Sequence, residues 1–144
     1  MPLFRIALLG ATLALSPPAL ADQTDARLDT LFEQLRTGDG AGAESVAEEI
    51  NALWTVSQSA TVDLLVSRAT AAFDAQQHDL AEALLDHAIG LSPHYAQGFA
   101  LRGAARAAGD DPAGAIADFS RAIDLEPRQF EARIALAEIM LAGG

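Results

Sequence analysis

Two segments of the chain answer each other at a fixed distance, and this repetition constrains the fold more than any other feature. Residues 81–93 (AEALLDHAIGLSP) stand 34 positions before residues 115–127 (AIADFSRAIDLEP). Six of the thirteen aligned positions are identical: Ala81/Ala115, Ala83/Ala117, Ala88/Ala122, Ile89/Ile123, Leu91/Leu125 and Pro93/Pro127. A period of this length marks an array of stacked units, each too small to bury its apolar face alone. The unit reads as two helices. Residues 95–108 are rich in Ala, with Phe99, Leu101 and Gly103. Gly109-Asp110-Asp111-Pro112 then joins a helix stop, a cap and a first-turn proline. Residues 112–125 place Ala115, Ile116, Phe119, Ala122 and Ile123 on one helical stripe. The preceding unit repeats the scheme, with 62–75 and 80–91 as helices, 76–79 as the turn and Pro93 as the stop. Alanine makes up about a fifth of the chain and suits close-packed helices.

These residues resemble the tetratricopeptide repeat (TPR) family. Its 34-residue unit prefers a large residue at position 4, a small one at 8, Ala at 20, a large apolar one at 24, Ala at 27 and Pro at 32. Unit 96–129 supplies Phe99, Gly103, Ala115, Phe119, Ala122 and Pro127; unit 62–95 supplies Leu65, Ala69, Ala81, Leu85, Ala88 and Pro93. Small residues let the paired helices approach, and the large residue at 24 fills the gap between hairpins. Two positions depart from the pattern. Position 7, usually Leu, is Arg68 and Arg102; position 11, usually Tyr, is Ala72 and Arg106. The resemblance implies an all-α fold of antiparallel helical hairpins stacked as a short right-handed solenoid.

Both flanks of the two units are also helical in pattern. Residues 130–144 open a third unit with one helix, 129–142. It either caps the solenoid or belongs to a longer array, and the apolar Leu136, Met140 and Leu141 favour truncation or self-association over a polar cap. Upstream, 28–36 and 43–56 read as another hairpin around a loop at 37–42, with Val46, Ala47, Ile50, Leu53 and Trp54 as its buried stripe. Region 22–61 is then a degenerate repeat or N-terminal cap, with Ala47 falling at position 20.

Residues 1–21 read as an address. Arg5 and the α-amine form a positive start, residues 6–15 (IALLGATLAL) are apolar and uncharged, and Ser16-Pro17-Pro18 breaks the run. Ala19-Leu20-Ala21 then supplies the small residues of a signal-peptide cleavage site. A membrane span needs about 20 apolar residues, twice this run. The expectation is cleavage after Ala21, giving a periplasmic or secreted chain 22–144 with no membrane span left.

Composition narrows the function. The net charge is -11, and the nine basic residues are all scattered Arg, so a nucleic-acid partner is not expected. With no Cys and no Lys, thiol chemistry, a P-loop and a Schiff base are excluded. His78, His87 and His94 are spaced unlike a helical metal pair. There is no G-x-S-x-G, and the acid pairs Glu48-Glu49 and Asp110-Asp111 suit a solvated face or a cap. No enzyme, cofactor or metal is expected. Arg102 and Arg106 share a helix face; they suit an anion contact, or, as the weightier reading, ion pairs with Asp110, Asp111 or Asp118.

The resemblance also implies a concave groove lined by the first helix of each hairpin, at positions 2, 5, 9 and 12. These are Asp63, Val66, Thr70 and Phe73; Gln97, Ala100, Ala104 and Ala107; then Glu131, Ile134, Glu138 and Leu141. Such a groove, mildly apolar with acidic edges, suits a partner helix or extended peptide. Phe73 stands equally as a binding anchor and as a core residue. Family members that grip acidic chaperone tails use a Lys, Asn and Arg clamp. That clamp does not carry over, because Lys is absent and positions 5 and 9 of the better unit are Ala100 and Ala104. Pairing of two copies through the apolar final helix is the alternative.

Overall fold

The computed structural model describes residues 25–38 and 40–143. Residues 1–21, read above as a signal peptide, lie outside the described residues. Among the described residues there are seven α-helices and no strand: α1 (Ala26–Thr37), α2 (Gly40–Thr55), α3 (Ala60–Asp74), α4 (His78–Leu91), α5 (Ala96–Ala108), α6 (Pro112–Leu125) and α7 (Phe130–Ala142). The 37–42 loop of the sequence reading is shorter in the structure, since α2 already begins at Gly40.

The repeat is written in hydrogen bonds as well as in residues. Gln77 N donates to Ala72 O and, 34 residues on, Asp111 N donates to Arg106 O, each at 2.9 Å. Tyr95 N donates to Ser92 O, and Gln129 N to Glu126 O, in the turns that follow Pro93 and Pro127. The hairpin turns match too: Gln76 and Asp110 both take the left-handed conformation, at φ 61 and φ 64. The sequence put the helix stop at Gly109, yet Gly109 has φ -91 and its neighbour Asp110 carries the left-handed turn. Asp111 caps α6 by accepting from Gly114 N at 2.9 Å, with Pro112 in the first turn.

Helices α3 and α4 form one hairpin, α5 and α6 the next, and α4–α5 and α6–α7 contacts join them in series. Ala81, Ala88, Ala115 and Ala122 are fully buried at the helix crossings. One core gathers Val62, Val66, Ala69, Leu85, Ala88 and Tyr95; the next gathers Ala100, Ala115, Phe119, Ala122 and Ala132, with Phe99 packed against it. Phe119 fills the space that Gly103 leaves open, and a Cβ at Gly103 would stand 3.0 Å from the Phe119 ring. Pro93 and Pro127 are exposed in their turns.

The α1–α2 hairpin does not continue this series. Among the helices outside the hairpin, α2 packs mainly on α5. Its core of Leu28, Leu31, Ile50 and Trp54 takes in Phe130 at the start of α7. Ala47, aligned with Ala81 and Ala115 by register, is only half-buried.

Candidate peptide-binding groove

Helices α3, α5 and α7 carry the twelve groove positions, and the structure treats them unequally. Val66, Gln97 and Ala100 are buried and are closed to a partner in this conformation. Val66 belongs to the first core and Ala100 to the second. The Gln97 amide oxygen accepts from the Gln129 amide in the interior. Asp63 is half-buried and accepts from Ser57 N at 2.8 Å and Ser57 Oγ at 2.6 Å, so it anchors the chain entering α3. Phe73 and Ala104 are half-buried, whereas Thr70, Ala107, Glu131, Ile134, Glu138 and Leu141 are exposed.

The accessible part of the groove lies between α3 and α5. There Ala69, Thr70, Phe73, Ala81, Leu85, Leu101 and Ala104 enclose an apolar recess of about 60 Å³. Ala104 keeps its wall low, since a larger residue would fill it. Phe73 combines both sequence readings: it packs against the Ala72, Ala81 and Ala105 cluster, and its ring also lines the recess. The His78 imidazole stands edge-on to that ring, with centroids 5.3 Å apart. The sequence places His78 in the 76–79 turn; it is instead the half-buried first residue of α4, and its Nδ1 is buried without a hydrogen-bond partner in the protein. His87 and His94 are exposed. Among the described residues, no three His, Asp or Glu side chains gather as a metal site.

The arginines of α5 are committed to neighbouring helices. Arg102 makes a forked pair with Asp118, Nε to Oδ2 at 2.9 Å and Nη2 to Oδ1 at 2.7 Å, and reaches Asp86 at 2.6 Å. Arg106 bonds Glu82 at 2.8 Å and Asp118 at 3.0 Å. Asp118 is 3% exposed, and its hydrogen bonds are the main cause holding the Arg102 guanidinium above its already high range. The expected partner Asp118 is therefore present. Asp110 and Asp111 are not, because Asp110 is spent in the turn and Asp111 caps α6. Asp86 and Glu82, from the preceding hairpin, take their place.

At the starts of α5 and α7, α2 packs against Tyr95, Phe130 and Glu131. Trp54 packs with tilted rings against Phe130 and Phe32, with centroids 5.5 and 5.8 Å apart. Asn51 Nδ2 donates to Glu131 Oε1 at 2.7 Å, and Tyr95 Oη donates to Thr55 O at 2.8 Å. Burial, and then the Asp63 charge, push the Tyr95 phenol well above its usual range. Arg128 pairs with Asp29 at 2.8 Å and covers the Phe32 ring at 4.9 Å.

No family model matches the chain. It is 35% identical over 119 residues to a TPR repeat-containing protein of Rhizobium etli, covering 82% of this chain and 58% of that protein. It is 38% identical over 76 residues to RNA polymerase II-associated protein 3 of Xenopus tropicalis, covering 53% of this chain and 12% of that protein. The chain thus spans little more than half the length of the first relative and a small part of the second. The first TPR domain of human RPAP3 aligns with TM-score 0.56 at 26% identity, over 79% of this chain and 87% of that one. The first TPR of Spaghetti (RPAP3), bound to the HSP90 peptide SRMEEVD, aligns with TM-score 0.55 at 25% identity, over 86% and 97%. The second TPR domain of human RPAP3, in complex with the HSP70 peptide SGPTIEEVD, aligns with TM-score 0.54 at 27% identity, over 82% and 95%. The fold is an all-α, TPR-like solenoid of helical hairpins. These similarities support the TPR repeat family and, through the peptide complexes, a protein-interaction module. Within the TPR register, Arg102 and Arg106 replace the usual apolar pair at positions 7 and 11 with an ion-paired seam. The sequence reading missed Tyr95, Gln129 and the Trp54–Phe130 contact. The 34-residue equivalence of Tyr95 and Gln129, each closing a unit after its Pro, was the signal available.

Proposed function

We propose that the chain is an exported, non-catalytic interaction module that holds a helix or extended peptide of a partner protein in the α3–α5 part of its groove. The observation that carries this reading is the small apolar recess between Phe73 and Ala104, bordered by the exposed Thr70. The peptide-bound RPAP3 domains support the same use of the fold. The charge supports a different ligand from theirs. The chain carries -11, it has no Lys, and Arg102 and Arg106 are tied to acidic neighbours. An apolar segment that is neutral or basic suits this surface better than an acidic tail. Export rests on the residues 1–21 pattern, and Ala21 is the proposed cleavage point.

The test is a crosslinked pull-down from a periplasmic extract with chain 22–144, run beside Phe73→Ala/Ala104→Arg. The variant's helix content is first checked by circular dichroism. A partner captured by the parent and lost by the folded variant supports the reading; identical lists overturn it. One observation favours a second reading, self-association. Met140 is 64% and Leu141 83% exposed on α7, and Met140 lines an apolar depression with Ile116 and Ile139, a surface of the kind that copies bury. Light scattering across a concentration series separates a monomer from a growing mass.

A further inference from the structure

The α1–α2 hairpin meets the groove at one of its positions, Glu131, and its attachment to the rest of the described chain is narrow. Its aromatic and aliphatic core takes in Phe130 from the rest of the described chain. Around that side chain the attachment is polar: Asn51 to Glu131, Asp29 to Arg128, and Thr55 O to Tyr95 Oη. The first two pairs lie at the surface, where such contacts contribute little. Two polar atoms of α2 buried at this seam, Trp54 Nε1 and Asn51 Oδ1, have no hydrogen-bond partner in the protein. Desolvating a polar atom unpaired costs free energy, so the seam is weaker than its aromatic contacts alone imply. The chain leaves α2 through residues 56–59, where Ser57 is fixed to Asp63. Both partners of these bonds lie outside the hairpin, so the start of α3 is held without it.

We propose that α2 is a self-ligand, seated on a surface of Tyr95, Arg128, Phe130 and Glu131 that fits a partner's amphipathic helix. The pattern of α2 defines that partner: a side-chain donor facing Glu131 and, three residues on, an aromatic ring facing Phe130, as in Asn51 and Trp54. Residues at i and i+3 share a helix face, so one helix delivers both. Opening removes the hairpin from Glu131 and adds the start of α7 to the accessible groove. A partner must compete with the tethered helix, and its apparent affinity falls by the fraction of molecules that are open. This inference rests on the groove reading.

The experiment uses the full chain and a labelled peptide of residues 43–56 (AESVAEEINALWTV) as probe. Asp29→Ala/Asn51→Asp loosens the hairpin without altering the receiving surface, because it removes one ion pair and sets a carboxylate against Glu131. Trp54 is the only tryptophan, so its emission reports the seam directly. Amide exchange of α1 and α2 is expected to be about tenfold faster than that of α5 and α6 in the parent, and faster again in the variant, with α5 and α6 unchanged. Trp54 emission shifts to the red in the variant, and the probe binds it about tenfold more tightly than the parent. Phe130→Ala, in the same variant background, abolishes probe binding. Exchange of α1–α2 in step with α5–α6 in the parent overturns the proposal even if the variant fails to fold. Probe binding that is absent, or equal in parent and variant, overturns it as well. If the probe binds as expected but the pull-down is indifferent to Ala104→Arg, the groove reading alone fails. If Ala104→Arg loses a partner while the hairpin exchanges with the body, this inference alone fails.

Discussion

Gly103 and Phe119 make one joint between α5 and α6, and the structure assigns each a sign. Phe119 is 3% exposed in the core with Ala100, Ala115, Ala122 and Ala132. Truncating it to Ala removes the ring from a crossing that the repeat cannot easily close, at a cost of about 3–5 kcal/mol. For a domain of this size that lowers Tm by roughly 10–20 °C. Gly103→Ala alone gains about 1 kcal/mol of helix propensity. Its new methyl would stand 3.0 Å from the Phe119 ring, however, and overpacking costs about 1–3 kcal/mol. The single change is therefore neutral to destabilising. In the Phe119→Ala background the obstacle is gone, and the same Gly103→Ala stabilises by about 1 kcal/mol. Urea denaturation followed by circular dichroism, run as a double-mutant cycle, reads the coupling. Equal effects of Gly103→Ala in both backgrounds would refute the close approach of α5 to the Phe119 ring.

The buried carboxylate of Asp118 serves both Arg102 and Arg106, so Asp118→Ala leaves two partly buried guanidinium groups short of a partner. Each keeps one acidic neighbour and some solvent, which brings the expected cost to about 2–3 kcal/mol in urea melts; a loss under about 0.5 kcal/mol, as at ordinary surface sites, would contradict the seam. Tyr95 is the only tyrosine, and its folded pKa lies above the ordinary 10.0 because of burial and Asp63. A raised folded pKa contributes stability below pH 10 that is lost as pH rises further. The phenolate absorbance is expected to appear together with loss of helix signal, not at pH 10 with the helices intact. Asp25, which caps α1, is held down to about 2 by hydrogen bonds from Arg27. Its contribution is present above about pH 4 and is lost as pH falls toward 2. Amide exchange at the first turn of α1 should rise over that window, and Asp25→Ala should already show the rise at neutral pH.

What the sequence made legible follows from which forces are local. Small residues opposite large ones recur at 34 residues because every hairpin solves the same crossing, so Ala81, Ala115 and Phe119 could be placed without coordinates. Turn chemistry was readable to within a residue: the left-handed position went to Asp110, since Asn and Asp tolerate that conformation better than most residues. The α1–α2 hairpin was readable as helices but not as packing. Its position depends on Trp54 meeting Phe130 and on Asp29 meeting Arg128, pairs far apart in sequence with no period to announce them. The same limit applies to the groove. Register gives the face on which Val66, Gln97 and Ala100 lie, but their burial depends on which helices cover that face. Arg102 and Arg106 show an intermediate case, with Asp118 readable within the unit and Asp86 and Glu82 supplied by the unit before.

The measurement that bears most directly on the central claim is an amide-exchange footprint of the full chain with a partner captured in the pull-down. The account expects protection on α3 around Thr70 and Phe73 and on α5 around Leu101 and Ala104, lost with Ala104→Arg. Protection confined to α6 and α7 around Ile116, Met140 and Leu141, with α3 and α5 unchanged, would contradict it and place recognition on the apolar C-terminal face instead.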